Sequence, residues 1–510
     1  MFKLIEIEFI DHPFFNSLKV EFVNQNEGWA ENYTTLIIGP NGTGKSKILQ
    51  SIIGIFNSLE SHSKNSRKKY SFDFHYKLKF GNKGRMHDVD YSTDDLLIEG
   101  IDSRSNVDQL ILPTQVMISA FSFNDKYPLR ESRGKVTYEN YYYLGLKSTT
   151  NNIFLSKPTR DAISNLYEAV LHEKEILPLK EAFITLELKP EIKLVYKPGK
   201  YFKFLQNEEF WENKNLNPTQ FENSFTDFFK KKKRKTTNPE LKRLGNEKIE
   251  KLLADNEKLK TVIDYLQENI RLITELVNKE IALKPTLNFE QRNSFTEFTK
   301  NVLPFQLLSD LEIISFSRFE IKKLETNFSF DDASSGEYHI ILTYLNILSL
   351  LKENSLVMLD EPEISLHPNW QIKYMDIFNK VFKRFPKTHF IIASHSHFLV
   401  SDLKSENSNI LGVELTEQGQ IKITPTERNT YGWSAEQILL DVFKVASTRN
   451  FYINKTITDV LKEMSEENPN FQLIKTKLES IIFLDTKDFN EHDPLLEIFK
   501  ELKIFYNELT

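Results

Sequence analysis

A glycine-rich run near the amino terminus has the residue types needed to hold phosphate groups. In order it reads Gly39, Pro40, Asn41, Gly42, Thr43, Gly44, Lys45 and Ser46. The run fits the phosphate-loop pattern G-x-x-x-x-G-K-[ST] in full. The glycines let backbone N–H groups point at phosphate oxygens, Lys45 can reach the β- and γ-phosphates, and the Ser46 hydroxyl can ligate Mg²⁺. The motif predicts a nucleoside triphosphate site; a chance glycine-rich turn is the alternative.

The residues on either side supply the context that this motif needs. The apolar run 36–38 predicts a buried strand immediately before the loop. A helical apolar face follows it, formed by Ile48, Leu49, Ile52, Ile53 and Phe56. The start of that helix would add a partial positive charge beside the phosphates.

Two acids follow a second apolar run in the later part of the chain. Asp360 and Glu361 come directly after residues 356–359, which read as a strand buried on both faces. Ligands bind at the carboxyl ends of such strands. We expect Asp360 to hold Mg²⁺ and Glu361 to act as the base that orients the attacking water. The alternative is a strand followed by an acidic turn.

Two further segments have side chains suited to a γ-phosphate. Residues 389–396 read as a second such strand that ends in a histidine, His395, and we expect this strand to lie beside the Asp360 strand. His395 can then donate to the γ-phosphate; a surface histidine at a turn is the alternative. A small polar loop containing Ser334 and Gly336 opens an apolar helix and predicts either an anion cradle or a simple helix cap.

In order and spacing, these motifs resemble those of the ABC-type ATPases, in the branch that contains the SMC, RecF and OLD ATPases. The resemblance covers residues 1–60 and about 305–415. It implies an α/β fold, namely an ABC-type P-loop ATPase domain with a mixed sheet, and it implies ATP and Mg²⁺ as ligands. It also implies a homodimer, in which Ser334 and Gly336 contact ATP held by the opposite subunit. The loop reads Ala-Ser-Ser-Gly here where the family has Leu-Ser-Gly-Gly, so the first glycine is missing.

That family also has a glutamine that senses Mg²⁺ and the γ-phosphate. Gln115 is the candidate here, because it stands just before the apolar run 116–121. A plain surface glutamine is one alternative. Asn124 and Asp125, beyond the end of that run, are the other candidates for the role.

Composition limits the other classes of function. The chain has 510 residues, a net charge of −6 and no cysteine, which excludes disulfides, thiolate zinc sites and cysteine nucleophiles. No apolar run is long enough to span a bilayer, so we expect no membrane partner. The absence of cysteine fits a cytoplasmic location. The patterns predict four regions along the chain. An amino-terminal ATPase lobe covers 1–150 and a mainly helical insertion 151–304. A carboxyl-terminal ATPase lobe covers 305–430 and a helical carboxyl-terminal region 431–510.

OLD-type nucleases carry a second catalytic domain with clustered acids, and this chain shows no such pattern after its ATPase motifs. Asp485 and Asp488 read as a solvated turn, so we expect no intrinsic nuclease. The segments 121–128, 143–146 and 431–439 resemble the Septu anti-phage ATPases, which are also found with some retrons. That resemblance implies a defence ATPase that controls a separate HNH nuclease docked on the carboxyl-terminal helices. A RecF-type DNA-repair ATPase and an ATP-dependent assembly scaffold with little hydrolysis are the alternatives.

One basic run remains outside these motifs. Six consecutive cations extend from Lys230 to Lys235. Such a run predicts contact with the phosphates of DNA or RNA, including a retron nucleic acid, or else a solvated loop.

Overall fold

The computed structural model divides into two compact units, Met1–Tyr431 and Gly432–Thr510. The structure describes the whole chain except residues 24–31, 64–71, 93–94, 103–108, 121, 123–124, 130, 133–134, 137–138, 150–151, 154–156, 172–176, 203–217, 232–248, 279–283, 325–334, 365, 384, 386, 401–402, 404–406, 417–418, 426–450, 465–469, 482–493 and 509–510.

Strands and helices alternate irregularly along the chain. The strands are β1 Lys3–His12, β2 Asn16–Glu21, β3 Tyr33–Ile38, β4 His75–Asn82, β5 Arg85–Tyr91, β6 Leu97–Ile98, β7 Ile101–Asp102, β8 Val116–Ala120, β9 Glu131–Ser132, β10 Lys135–Val136, β11 Tyr141–Tyr143, β12 Lys147–Thr149, β13 Asn152–Ile153, β14 Glu191–Pro198, β15 Thr286–Asn288, β16 Ile314–Glu320, β17 Leu356–Asp360, β18 His389–Ser394, β19 Ser408–Leu415 and β20 Ile421–Pro425. The helices are α1 Lys45–Ser63, α2 Lys157–Leu171, α3 Leu177–Thr185, α4 Pro218–Lys231, α5 Asn256–Asn278, α6 Arg292–Asp310, α7 Ser335–Leu350, α8 Pro368–Phe382, α9 Phe451–Met464, α10 Phe471–Glu479 and α11 Pro494–Glu508.

A seven-stranded sheet forms the centre of the first unit, in the order β11-β8-β17-β18-β3-β19-β20. All neighbouring strands run parallel except β20, which is antiparallel to β19. Strands β3, β8, β17 and β18 are buried along their whole length, as expected of strands covered on both faces. The predicted α/β class is confirmed, as is the prediction that the two later apolar runs are adjacent strands.

The register of this sheet brings the predicted site residues to one edge. Asp360, the last residue of β17, pairs with Ala120 on one side and Ala393 on the other. Ala393 in turn pairs with Ile37, next to the end of β3. The phosphate loop, the acids at the end of β17 and the histidine after β18 therefore lie at the same edge of the sheet.

A second, antiparallel sheet packs on the same hydrophobic core. Its order is β2-β1-β4-β5-β6-β7. The core combines apolar side chains from this sheet, from the central sheet and from α1, among them Phe2, Ile52, Phe56, Phe80 and Met358. Helix α1 thus has apolar partners in both sheets, which fixes the helix that begins at the phosphate loop.

The region between the two halves of the central sheet contains helices and a three-stranded antiparallel sheet, β15-β14-β16. Helix α5 lies in the predicted helical insertion, and its Leu259, Ile263 and Leu266 are buried. Helix α2 packs against α7, and Asn165 donates to Asn346 Oδ1 at 2.9 Å across that contact.

The second unit is helical where it is described. Helices α9, α10 and α11 surround a small apolar core that includes Val460, Ile474, Leu478 and Leu502. Helix α10 is capped by Asn470, whose side chain accepts from Leu473 N at 3.1 Å. Among the helices described in either unit, none combines the length and the apolar character needed to cross a bilayer.

Candidate functional site: a nucleotide site at the carboxyl edge of the central sheet

The phosphate loop needs glycine at positions that the backbone and its neighbours determine. Gly42 and Gly44 have φ angles of 82° and 88°, in the left-handed region that glycine adopts most readily. At Gly39 an added Cβ would lie 2.2 Å from the carbonyl oxygen of Val413 on β19. The loop therefore turns back sharply while lying directly against the sheet, and α1 begins at Lys45 with its first N–H groups unpaired within the helix.

Lys45 is held inside the loop. It is 5% exposed, and its Nζ donates to the carbonyl oxygens of Gly39 at 2.7 Å and Pro40 at 2.9 Å. Burial lowers the pKa of Lys45, while the charges of Glu361, Glu363 and Asp360 act in the opposite direction. A buried ammonium group among acids is suited to hold a polyanion such as a triphosphate.

Asp360 joins the two halves of the site. The Ser46 hydroxyl donates to its Oδ1 at 3.0 Å, and the Tyr127 hydroxyl donates to its Oδ2 at 2.7 Å. Asp360 is 6% exposed, and burial raises its pKa to about 6 although both hydrogen bonds lower it. Ser46 and Asp360 are 314 residues apart in sequence, and their contact brings the phosphate loop and the end of β17 together.

A second buried acid anchors Tyr127. Asp125 accepts from Tyr127 N at 3.2 Å and from the Tyr143 hydroxyl at 2.8 Å, and it forms an ion pair with Lys147 Nζ at 2.7 Å. Burial is the main cause that raises the pKa of Tyr127 well above its usual value. Tyr127 therefore stays a neutral hydroxyl donor toward Asp360.

Glu361 and His395 face each other just beyond the sheet. His395 Nδ1 lies 3.6 Å from Glu361 Oε1. Glu361 has a φ of 52°, a left-handed conformation that is rare for glutamate, and its N–H donates to Ala393 O at 2.8 Å. The turn ends β17 abruptly and directs the chain across the end of β18, which brings the predicted base next to the predicted phosphate-binding histidine.

Glu363 and Phe14 also belong to this region, although the sequence motifs do not single them out. Glu363 Oε1 accepts from Ser394 Oγ at 2.7 Å and from His395 N at 2.8 Å.

Phe14 is 44% exposed, yet its ring packs so closely over the phosphate loop that a Cβ on Gly44 would lie 2.5 Å from it. An exposed ring beside a phosphate loop offers a stacking surface for a nucleobase.

Gln115 does not reach the site, and its predicted role in metal binding needs correction. It precedes β8 at the amino end of the strand, five residues and about 16 Å from the edge that carries Asp360. Its side-chain oxygen accepts from Lys352 N at 2.9 Å. Gln115 thus joins β8 to the chain before β17 at the opposite edge. Of the alternative residues, Asn124 lies outside the described residues and Asp125 anchors Tyr127.

The remaining candidate residues are placed only in part. Asn41 and Gly42 are exposed at the tip of the phosphate loop, while Thr43 is buried and donates to Pro40 O at 2.9 Å. Gly336 lies in the first turn of α7. Ser334, the run 232–235 and the acids Asp485 and Asp488 lie outside the described residues.

The oxygen atoms of Ser46 and Asp360 suit a Mg²⁺ ion that is bound together with a nucleotide. Within the described residues, no group of three or more histidine and acidic side chains could hold a metal ion by itself. Mg²⁺ in phosphate-transfer sites is bound through one or two protein oxygens, with phosphate and water oxygens completing the octahedron. The adjacent Ser46 hydroxyl and Asp360 carboxylate match that donor set.

Comparison with known proteins assigns the family. Residues 14–400 match the AAA ATPase domain family, which is more than half of the chain. The chain belongs to the AAA ATPase domain family. This AAA ATPase is 29% identical to the Septu protein PtuA of Bacillus thuringiensis over 114 residues, 22% of this chain and 28% of that protein.

Two retron proteins are also similar to this AAA ATPase. It is 26% identical to the Retron Vc95 probable ATPase of Vibrio cholerae serotype O1 biovar El Tor over 213 residues, 38% of this chain and 40% of that protein. It is 25% identical to the Retron Ec83 probable ATPase of Escherichia coli over 226 residues, 40% of this chain and 38% of that protein. The matched regions therefore span less than half the length of all three relatives.

Solved structures similar to this AAA ATPase include SMC head domains. The head domain from Thermotoga maritima has a TM-score of 0.33 at 11% identity and covers 84% of this chain and 100% of its own. The head domain from Pyrococcus furiosus, bound to the C-terminal domain of ScpA, has a TM-score of 0.34 at 11% identity and covers 84% of this chain and 96% of its own.

Proposed function

We propose that this AAA ATPase hydrolyses ATP at the carboxyl edge of its central sheet. The observation that carries the proposal is the 3.0 Å hydrogen bond from the phosphate-loop hydroxyl of Ser46 to Asp360. It brings together two motifs that would each be ambiguous alone, which supports a single nucleotide site. Bound Mg²⁺ would neutralise phosphate charge as the terminal phosphoryl group is transferred.

Other residues of the chain would bind the phosphates and the base and activate the attacking water. The backbone N–H groups of residues 42–46 and the ammonium group of Lys45 hold the phosphates, and Phe14 supports the base. Glu361 orients the water and accepts its proton, and His395 contacts the terminal phosphate. Their 3.6 Å separation supports a shared target for these two side chains.

Two substitutions separate binding from hydrolysis. Lys45→Ala should abolish ATP binding measured by calorimetry. Glu361→Gln should keep ATP bound while lowering the hydrolysis rate by about a hundredfold or more, because general-base assistance is lost. Glu290→Gln is the control, since that acid is 53% exposed and pairs with Lys180. Hydrolysis by Glu361→Gln at the wild-type rate would show that Glu361 is not the base.

We propose in addition that ATP is bound between two copies of the chain. Gly336 lies in the first turn of α7, and the histidine in the next turn, His339, hydrogen-bonds to Ile364 O at 3.1 Å. The amino end of α7 therefore lies near the segment after Glu361, and a second copy can close over that face. Light scattering should show a dimer for Glu361→Gln with ATP and a monomer for Lys45→Ala with ATP.

The similarity to PtuA and the retron ATPases supports a cytoplasmic anti-phage role in which the ATPase controls a separate nuclease. Docking would use the second unit, where Phe471 and Ile504 are 53% and 56% exposed. Replacing both with serine in the full chain should abolish co-purification with a co-encoded nuclease and leave ATP hydrolysis unchanged. Tight ATP binding with negligible hydrolysis by the wild type would favour the assembly scaffold instead.

The basic run is proposed as the nucleic-acid contact. Lys230 lies at the end of α4, and the run continues beyond the described residues. Neutralising all six cations should weaken the binding of DNA or RNA and flatten its dependence on salt. Unchanged affinity across a salt titration would assign the run to a solvated loop.

A further inference from the structure

A buried histidine lies under the turn that carries the exposed ring of Phe14. Strands β1 and β2 form a hairpin in which His12 pairs with Asn16, and residues 13–15 make the turn between them. His12 is 7% exposed, and its Nδ1 accepts from Phe14 N at 3.0 Å and from Phe15 N at 3.2 Å. One ring nitrogen therefore fixes the backbone of two successive residues of the turn.

The same imidazole ring also contacts the helix of the phosphate loop. Because Nδ1 accepts two N–H groups, the proton of the neutral ring is on Nε2, which can donate to the Ser51 hydroxyl of α1 at 3.3 Å. Burial lowers the pKa of His12 to about 4, so the ring is neutral near pH 7. His12 thus joins the hairpin turn to the helix that begins at Lys45.

The turn places two aromatic rings over the phosphate loop. A Cβ on Gly44 would lie 2.5 Å from the Phe14 ring and 2.7 Å from the Phe15 ring. The Phe15 ring is buried against His12, with 4.6 Å between the ring centroids, whereas Phe14 is exposed. A fixed backbone leaves the Phe14 ring fewer orientations, and a ring that is already oriented loses less entropy when a base stacks on it.

We propose that His12 is a positioning residue for the nucleobase, because it fixes the turn that presents the Phe14 ring beside the phosphate loop. This rests on the proposed function, in which Phe14 supports the base of ATP. Stacking of one base on an aromatic ring commonly contributes about fivefold or more to affinity. His12 therefore acts on the affinity for the base and leaves the phosphate contacts of the loop unchanged.

Two substitutions of the same shape isolate the acceptor. Asparagine and leucine branch alike at Cγ and both remove the imidazole ring, but only asparagine keeps an acceptor atom at the position of Nδ1. His12→Asn should therefore retain the turn, and His12→Leu should release it.

His87→Leu is the matched control, because it removes the same kind of contact elsewhere in the same sheet. His87 is buried, and its Nε2 accepts from Ile111 N at 3.3 Å. It pairs with Phe80, which pairs with Leu4 near the start of β1. His12 lies at the other end of that strand.

The first measurement is the preference of the protein for ATP over inorganic tripolyphosphate, taken by calorimetry with Mg²⁺ as the ratio of the two dissociation constants. Phe14→Ala and His12→Leu should each lower this preference about fivefold or more, while the affinity for tripolyphosphate stays within about twofold of the wild type. The double variant should lose no more than Phe14→Ala alone, because His12 acts through that ring. His12→Asn should restore the preference, and His87→Leu should match the wild type.

The outcomes separate the role of His12 from the proposed function. If Phe14→Ala keeps the preference for ATP, the proposed support of the base is wrong and the role of His12 is overturned with it. A loss in Phe14→Ala but not in His12→Leu, additive losses in the double variant, or an equal loss of affinity for tripolyphosphate overturns the role of His12 alone. A wild type that binds ATP without hydrolysing it, with a preference that depends on His12, overturns the proposed hydrolysis and supports the positioning role.

Amide hydrogen exchange without nucleotide tests the turn directly. The N–H groups of Phe14 and Phe15 should exchange slowly in the wild type and in His12→Asn, and faster in His12→Leu, because their acceptor is lost. Exchange of both amides at the unprotected rate in the wild type overturns the proposal even if no His12 variant folds.

Discussion

At the scale of single residues, the site depends on how one carboxylate is shared. Asp360 receives one hydroxyl from the phosphate loop, Ser46, and one from a distant segment, Tyr127. Each oxygen of the carboxylate therefore has its own donor, and the side chain is fixed in direction. Tyr127 is itself held by Asp125, which forms an ion pair with Lys147. The orientation of Asp360 therefore depends on residues that are distant in sequence from the phosphate loop.

Tyr127→Phe tests this dependence with the loss of a single oxygen atom. We expect the Mg²⁺ concentration for half-maximal hydrolysis to rise severalfold, because Asp360 loses the donor that orients it. ATP binding measured without metal should stay at the wild-type level. Tyr141→Phe is the matched control, since its hydroxyl donates to Pro128 O rather than to the site. An unchanged requirement for Mg²⁺ would show that Ser46 alone is enough to orient Asp360.

At the scale of elements, the phosphate loop is positioned by its contact with β19 as much as by its own turn. Gly39 lies so close to the carbonyl of Val413 that no side chain fits between them. Gly42, in contrast, has open space around its Cα and needs glycine only for its backbone angle. Gly39 and Gly42 are therefore required for different physical reasons, one steric and one conformational.

Gly39→Ala and Gly42→Ala should separate these two reasons. Gly39→Ala should lower the free energy of unfolding by about 3 kcal/mol or more, because the clash is with backbone that cannot rotate away. Gly42→Ala should cost about 1 kcal/mol, the strain of a left-handed alanine. Urea denaturation of both variants beside the wild type provides the comparison. Equal losses would mean that β19 moves to accommodate the new methyl group.

The sequence predicted those elements whose signals are local. Apolar runs bounded by polar turns identified β3, β17 and β18, and motif spacing identified Lys45, Ser46 and Asp360. The prediction that Gln115 binds the metal was wrong. A residue beside an apolar run can lie at either edge of the sheet, and the direction of the strand decides at which edge it lies. Tyr127 and Phe14 have no local signal, since one meets a residue 233 positions away and the other packs on a loop that follows two strands later.

At the scale of the whole molecule, buried histidines couple the stability of the first unit to pH. Burial lowers the pKa of His87 as well, and the shifts are largest for three others. Burial lowers the pKa of His12 to about 4, of His339 to about 4 and of His389 to about 3. Each lies at a different contact: His12 accepts from Phe14 N, His339 meets Ile364 O, and His389 accepts from Leu4 N. All three are therefore neutral in the folded unit at pH values where an unfolded histidine becomes charged.

The free energy of unfolding should accordingly fall as the pH is lowered from 7 to 5.5. Below about 6.5 the unfolded chain binds protons that the folded chain excludes, so each histidine removes about 1 kcal/mol over this range. Urea denaturation at both pH values measures the loss, which should be smaller in His12→Gln. His367→Asn replaces an exposed helix cap by another capping residue and should keep the wild-type loss. An identical loss in His12→Gln would show that His12 does not contribute to the pH dependence of stability.

The order of strands in the central sheet has a consequence for how the protein is made. Strand β3 lies between β18 and β19, which the ribosome delivers more than 350 residues later. At synthesis rates of about 5–20 residues per second, the phosphate loop is made on the order of tens of seconds before the acids at the end of β17 and the histidine after β18. A nascent or truncated chain that lacks β17 and β18 has the phosphate loop without Asp360, Glu361 or His395. Gain of the complete nucleotide site therefore coincides with the end of synthesis of the first unit, and an unfinished chain would not compete with the finished protein as an ATPase.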